Sequence, residues 1–579
     1  MKNTFLRMGL LIVAALLLSL PVIFFFYPVR NAGIPVIFLV ALILFGLFYA
    51  ALPFLDEIKH WTKGKKVSLF IFLPLFSVLT AFSIRSEQHF LMDNHWFVIA
   101  GVFLGMSAAI ALLVIVLIRL LLMVPAKVGE RKTSAWKILL YSLPIVMTTT
   151  LMFIAFFPGA MTPDSLQQWE QSKTQEFTNW HPVMFTWTIM GLTQIWDSPG
   201  IIVLFQMLLF ALVIGYMGYV MERFRVHKAI IWGVLIFFAI MPVNAVYAII
   251  IWKDVIYSIS LLFFTLLLVV IVKTGGEEMR KWTFVALFLL GSFVLVFFRH
   301  NGFPVFVISM IAVLIMYRHM WKRLLPLFLA VIILHEVVTG PVFTALEIVD
   351  SDPQEALSIP TQQIANIVVS DGDMTDDQRK YVDNLMALEL WEEKYNPYAV
   401  DPIKFSWGDY DRWVIYNDWP LYFKTWGSLV VQNPGLAIEA FLDETSIVWQ
   451  MTMPEDYKMN RFVTNIYLGN EFGLVNTIIA PDLKQFSLDY LQVDTPAEEY
   501  IWRPAVYTFF AVLLIYVAYL RNNWRVWLLL LPVALNTAAV MAAIPAQDFR
   551  YLFGNSLFFY AAIFIALLSF RQEKGRDAV

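Results

Sequence analysis

A chain of 579 residues that is 60% hydrophobic and 15% charged is no ordinary soluble domain, since such domains are nearer half apolar and a quarter charged. The absence of cysteine excludes disulfides, thiolate metal sites and cysteine nucleophiles. The formal net charge of −3 averages two unlike parts: residues 350–500 hold 26 of the 44 acidic residues but only 9 of the 41 basic ones, so a basic membrane body joins an acidic segment, which argues against nucleic-acid binding.

Apolar runs of roughly twenty residues, enough to cross about 30 Å of hydrocarbon, recur along the chain. The first has the basic flank of a signal peptide (Lys2, Arg7), but Phe24-Phe25-Phe26 would make a poor cleavage site, so it reads as a retained anchor. Hydropathy predicts about fourteen spans, at 5–27, 33–55, 67–84, 97–123, 137–157, 200–221, 229–251, 255–272, 282–298, 302–317, 324–346, 503–520, 524–543 and 551–570. The stretch 183–196 is too short to cross and reads as an interfacial helix. The fold expected is therefore all-α and polytopic, with a mixed soluble segment between the eleventh and twelfth helices. Its parts are an N-terminal four-helix region (1–136), a core (137–349) with a polar loop at 158–199, the acidic segment (350–500), and three last helices with a short tail (501–579).

Basic residues cluster in alternate loops: Lys59/Lys63/Lys65/Lys66, Lys127/Arg131/Lys132, Arg223/Arg225/Lys228, Lys273/Arg280/Lys281, Arg318/Lys322/Arg323 and Arg521/Arg525. The positive-inside rule makes that side cytoplasmic, together with both termini, and turns the acidic segment outward from a bacterial-type cell membrane.

Four of the outward loops are unusually polar. The first runs from Thr162-Pro-Asp164-Ser165 to Trp180-His181-Pro182, the second is a hairpin tip at Trp252-Lys253-Asp254, the third is Arg299-His300-Asn301-Gly302, and the fourth is Gln547-Asp548-Phe549-Arg550-Tyr551. Taken singly, each has a bland explanation: Lys253 or Arg299 as an anchor snorkelling to the interface, or Asp548 paired with Arg550 at the surface. Together they place three cations at membrane boundaries beside a carboxylate, and ionisable residues there are functional candidates. Arginine and lysine at headgroup depth hold a phosphate, and a carboxylate can take a proton from an acceptor hydroxyl. His181 stands open as a second base, a metal ligand or a structural hydrogen-bonder. Asp164 and Arg550 would have to lie within about 15 Å of one another to share a substrate.

A Pro-Asp-Ser loop after an apolar helix, followed by Trp-His-Pro and an interfacial helix, resembles the first outer loop of the GT-C superfamily of membrane glycosyltransferases, which use polyprenyl-phosphate sugars. The Arg-His-Asn-Gly and Asp-Phe-Arg-Tyr loops, with Ser358-Ile-Pro-Thr-Gln-Gln363, look like a bacterial family of GT-C-like membrane proteins. The resemblance covers roughly residues 137–570, leaving the first four spans as an addition. It implies that Asp164 is the catalytic base, with or without a linked divalent cation (Mg or Mn), and that Arg550, Lys253 and Arg299 hold the donor phosphate. Ser165, Asp254, His300, Asn301, Asp548 and Tyr551 would support them. Many relatives carry an acidic pair in this loop, whereas here Asp164 is followed by Ser165 and the nearest other acids are Glu170 and Glu176.

The acidic segment combines helix-like stretches (376–393) with an aromatic, turn-rich region (405–413) that would suit a sugar acceptor or pack as core. His335-Glu336 in the eleventh span has no assigned role and is expected near its outer end, facing the bundle. The expected function is sugar transfer from a polyprenyl-phosphate donor to a cell-envelope acceptor (glycan, polymer or lipid) at the outer face. The alternatives are a transporter or flippase of lipid-linked sugars or small molecules, which calls for broken or charged midplane helices, and a non-enzymatic envelope assembly protein.

Overall fold

The structure is a computed structural model that describes residues 2–26, 33–84, 91, 93–454, 461–492 and 497–570; the expected C-terminal tail lies outside them. Among the described residues the chain is all-helical, with four isolated β-bridges and no strand. The acidic segment is accordingly helical too, where a mixed segment was expected. Its expected helix at 376–393 is two, Asp376–Leu385 and Leu388–Lys394, separated at Met386-Ala387.

Ten described helices are long and apolar enough to cross a membrane. Their apolar side chains face outward in numbers no aqueous protein carries, Phe70 at 81% and Ile34 at 69% exposure among them, because lipid is the solvent there. The protein is thus a helical, multi-pass membrane protein. The other four predicted spans correspond to shorter apolar helices: Lys228–Ala239, Trp282–Phe297, Gly302–Met316 and Leu531–Ala543. The stretch expected to lie at the interface forms one short helix, Val183–Thr193.

The first departure from a simple hairpin bundle comes at 229–251. Instead of one span, Lys228–Ala239 stops, Pro242–Tyr247 begins after a two-residue break, and the chain then runs irregularly to Trp252. Pro242 supplies no N–H and fixes its own φ, so it can open a helix but not continue one. The irregular stretch is fully buried, and its carbonyls find donors: the Gln206 amide donates to Ile250 O at 2.9 Å and reaches Ala248 O at 3.5 Å. Trp252-Lys253-Asp254 is therefore the entry to a helix and not the tip of a tight hairpin.

That helix, Lys253–Thr274, is the centre of the bundle, with nearly all of its apolar side chains buried. It packs on Pro199–Arg223, Trp282–Phe297 and Phe553–Leu567. A helix held on all sides fixes the position of its first residues, Lys253 and Asp254. The four N-terminal helices pack mainly on one another and meet the rest at Pro504–Arg521, where Phe72 stacks on Tyr516 at 3.7 Å, and at Met451, whose N–H donates to Ser83 O at 2.7 Å.

The six basic loops lie together at one end of the bundle, as their alternation requires. Lys65 bonds the carbonyl of Leu520, Arg521 donates to Leu121 O and Val124 O, Arg131 N–H donates to Arg223 O, Arg223 pairs with Glu278, Arg323 reaches Met279 O and Arg525 lies over the Tyr317 ring.

The acidic segment has two parts. Residues such as Leu357, Ile364, Trp391 and Tyr422 form a core of their own, whereas Ile466 and Leu491 join the main membrane core.

Helices Lys137–Ala155 and Pro199–Arg223 cross so closely that a Cβ on Gly215 would sit 2.1 Å from the Ile138 carbonyl oxygen. Gly215→Ala is expected to destabilise the protein by about 1–3 kcal/mol through overpacking and to lower its melting temperature in detergent. Gly233→Ala, at a position open to 4 Å, should leave that temperature unchanged or raise it; equal melting of both variants would contradict the close crossing.

Candidate functional site

The site is built where the loop after Lys137–Ala155 meets the irregular chain ahead of Lys253. Gly159 turns that loop with φ +124°, a conformation open to glycine. Ala160 then pairs in parallel with Ile250: its N–H donates to Ile249 O at 3.0 Å, and Ile251 N–H donates to Ala160 O at 2.9 Å. Helix Pro163–Thr174 follows, opened by Pro163 at its first turn and by a reciprocal Thr162/Ser165 capping box. Asp164 thus sits in a helical first turn, where the backbone dipole favours a carboxylate. Ser165 Oγ donates to the Ile251 carbonyl, and Trp252 Nε1 donates to Thr162 Oγ1 at 2.9 Å. Two segments some ninety residues apart are laced together, with Asp164 and Lys253 facing each other across the seam.

Three carboxylates and three cations then form one alternating line. Arg299 Nη1 lies 3.1 Å from Asp254, Lys253 Nζ lies 3.7 Å from Asp254 and 3.9 Å from Asp164, Arg550 Nη1 donates to Asp164 Oδ2 at 2.6 Å, and Arg550 Nε is 3.1 Å from Asp548. Four separate outer loops of the sequence supply its members. Tyr551 completes it: its ring lies beside both guanidinium groups and its carbonyl accepts from Arg299 at 3.2 Å. His181 Nε2 stands 3.9 Å from Asp164, with the Trp180 ring stacked on its own at 5.2 Å.

Asp164 is the most open member of this line, its side chain 29% exposed against 14% for Arg550 and 2% for Asp254. Burial would raise the Asp164 carboxyl, but Arg550 beside it, then Lys253 and His181, hold it well below the ordinary carboxylate range. His181 is pushed down to about 3, by burial first and the Lys253 cation next, so it is a neutral imidazole at physiological pH. Asp548 is driven the other way, up to about 6, because its burial outweighs the attraction of Arg550.

The remaining sequence candidates fall into place less centrally. Ser165 acts as a cap and a seam, and His300 is exposed and bonds the Asn179 carbonyl at 3.1 Å. Asn301 precedes Gly302–Met316 as an N-cap whose side chain caps nothing. The Ser358–Gln363 motif is buried inside helix Ser358–Val369, with the Gln363 amide donating to Ala437 O at 3.0 Å, so it is a packing motif and not a surface one. In the turn-rich region Tyr410 is core, while Trp407 and Trp413 are exposed. Thr162, Trp252 and Tyr257, which lies under Arg299, also belong to the site. Their sequence signal is weak, since a tryptophan at a membrane boundary ordinarily reads as an interfacial anchor.

A cleft of about 280 Å³ opens beside the ion line, lined by Arg299 and His300 at one side and by Trp187, Phe297, Phe303 and Phe343 elsewhere. His335 lines it as well, stacked on Phe303 at 3.8 Å, while Glu336 turns outward. The far wall is a π-helical turn, Val338–Val342, that contains Pro341. Proline cannot donate to the preceding turn and clashes with it, which opens the local backbone.

The residues present fit an anion better than a metal ion. Asp164 Oδ2 already faces Arg550, Lys253 and His181, and among the described residues no three His, Asp or Glu side chains converge as ligands. A divalent cation beside Asp164 would be repelled by the two fixed cations that already neutralise it.

Residues 168–578 match a family of unknown function (DUF6020), and the chain belongs to that family. The match begins just after Asp164 and takes in Lys253, Arg299 and Arg550. No curated protein and no solved structure matches the chain.

Breaking a half-buried ion pair from one side strands the other charge. Asp164→Asn and Arg550→Gln should each lower stability, and the double variant should lose less than their sum. A coupling energy of about 0.5–3 kcal/mol is expected from melting curves in detergent; additivity would show that the pair is not formed.

Proposed function

We propose that this protein is a membrane glycosyltransferase that moves a sugar from a polyprenyl-phosphate donor to a cell-envelope acceptor at the outer face of the cell membrane. The observation that carries the reading is the meeting of one accessible carboxylate, Asp164, with Arg550 and Lys253 at 2.6 and 3.9 Å. The adjoining cleft supports a lipid-borne donor: its walls are apolar and aromatic, while Arg299 belongs to both cleft and ion line. An isoprenoid chain would lie along those walls with its phosphate against the guanidinium groups, which bind such oxygens bidentately.

In this reading the resting carboxylate is a poor base, because Arg550 holds it ionised too strongly to accept a proton. A donor phosphate that takes Arg550 as its partner relieves Asp164 of that cation and raises its basicity. Asp164 then removes the proton of the acceptor hydroxyl, the acceptor oxygen attacks the anomeric carbon, and the carbon–oxygen bond to the phosphate breaks. The electron pair stays on the phosphate, where Arg550, Lys253 and Arg299 hold it. Neutral His181, packed under Trp180, positions Asp164 from its other side.

A transporter of lipid-linked sugars is the second reading, favoured by the broken helix between Ala239 and Pro242. One assay separates the two. With purified protein and polyprenyl-phosphate sugar, Asp164→Asn should slow transfer by about 10²–10⁴-fold, the range for loss of a general base. Transfer at the wild-type rate would remove Asp164 from catalysis. Movement of the lipid across vesicles without transfer would establish the transporter.

The donor also has a pH signature. As a phosphodiester it carries one negative charge throughout pH 5–8, so any change in affinity belongs to the protein. Asp548 loses its charge as pH falls through about 6, which leaves the ion line with one net positive charge. Donor binding should therefore tighten by about tenfold from pH 7.5 to 5.5, one pKa unit of differential interaction. Asp548→Asn should bind tightly at both pH values, and a wild-type affinity that falls towards pH 5.5 would contradict the assignment.

A further inference from the structure

Helices Lys137–Ala155 and Pro199–Arg223 run from the ion line to the basic end of the bundle, about 28 Å along the 19 residues of the first at 1.5 Å each. At that end lies a second cavity, of about 740 Å³, which the proposed sugar transfer does not use. Lys127, Arg131, Lys137, Arg225 and Lys228 surround it, and Glu222 is its single carboxylate.

Basic residues are expected at this end, so their presence alone means little. What matters is how they are occupied. Outside the cavity several cations are already taken: Arg223 by Glu130 and Glu278, Arg521 by the carbonyls of Leu121 and Val124, Lys273 by the carbonyl of Ser569. Inside it the balance is one against five. Glu222 is buried and already claimed, by Lys137 at 2.6 Å and the Tyr141 hydroxyl at 2.8 Å, with Arg131 at 3.8 Å. Lys127 and Lys228 form no ion pair among the described residues, and Arg225 forms none either, reaching only the Val128 carbonyl at 3.4 Å. Helix Lys228–Ala239 also starts here, capped by His227, so the positive end of its dipole adds to the side-chain charge.

A concave space with surplus cations from two loops and a helix N-terminus is built for an anion. Its volume exceeds that of a bare phosphate and falls in the range of small-ligand sites. Basic pockets between helix ends at a membrane face recognise phospholipid headgroups, and the same donors would take a soluble phosphate. We infer that this cavity is a binding site for a phosphate-bearing anion, separate from the ion line and independent of the reaction proposed for it.

The test uses the full chain purified in a neutral detergent and then placed in phosphatidylcholine nanodiscs. Four probes are offered: cardiolipin and phosphatidylglycerol, read by native mass spectrometry, and inorganic phosphate and pyrophosphate, read by calorimetry. The double variant Lys127→Gln/Lys228→Gln removes two exposed, unpaired charges without touching a packed side chain. Arg318→Gln/Lys322→Gln serves as a control at the same end but outside the cavity.

At least one probe should bind saturably at one site, and the cavity variant should bind it about 30-fold more weakly at an unchanged melting temperature, the loss expected for two headgroup cations. The control variant should bind as the wild type does. Lipid binding alone identifies a headgroup site, binding of phosphate or pyrophosphate alone identifies a soluble ligand, and either supports the inference. No saturable binding of any probe, or equal weakening in the two variants, would overturn it by leaving only a diffuse basic surface.

Discussion

Everything at the candidate site depends on one constraint: charges withdrawn from water must find opposite charges. Burying an ion costs several kcal/mol unless partners surround it, and three cations and three carboxylates here meet that demand by alternating from Arg299 to Asp548. The central helix fixes the middle of the line, Lys253 and Asp254, by being packed on every side. The parallel pairing of Ala160 with Ile250 then brings Asp164 to it, and the start of the last helix brings Arg550. The line is neutral as a whole, so it can tolerate burial, yet its most exposed carboxylate remains within reach of a ligand.

Much of this was legible in the sequence because membrane proteins separate charge by side. Six basic loops in alternation forced the acidic segment and four polar loops onto the opposite end, and all six basic loops are joined by contacts. Asp164, Lys253, Arg299 and Arg550 stood out because polar residues are scarce near apolar runs. Of their pairing only the local contact of Asp548 with Arg550 was legible. That Arg299 serves Asp254, while Arg550 bridges Asp164 and Asp548, depends on how four distant segments cross.

The departures have local physical causes that hydropathy averages away. Pro242 stops what reads as one span, and the buried chain beyond it finds donors for its carbonyls in the Gln206 amide, the Ala160 N–H and the Ser165 hydroxyl. Helices as short as Leu531–Ala543 satisfy a hydropathy window without the length of a full crossing, since neighbouring 3₁₀ turns such as Trp524–Leu529 extend the apolar run. The amides of the Ser358–Gln363 motif serve as internal ties between helices, Gln363 to Ala437 among them.

The backbone of the loop that carries Asp164 is held partly from outside the membrane bundle. The Asn476 side chain donates to the carbonyls of Phe156 and Gly159 at 3.2 and 2.8 Å, and Met161 exchanges backbone hydrogen bonds with Asn465 and Tyr467. Residues 461–479 are therefore structural partners of the Asp164 loop, whatever their place in the acidic segment. The first part of that segment has its own hydrophobic core, yet its end is tied to the membrane body as well: Gln547 donates to Glu444 O and Arg503 to Ser446 O, both at 2.8 Å, and Met451 N–H donates to Ser83 O at 2.7 Å. The acidic stretch from Asp443 onward thus belongs structurally to the membrane body, and it is membrane machinery written in a soluble alphabet.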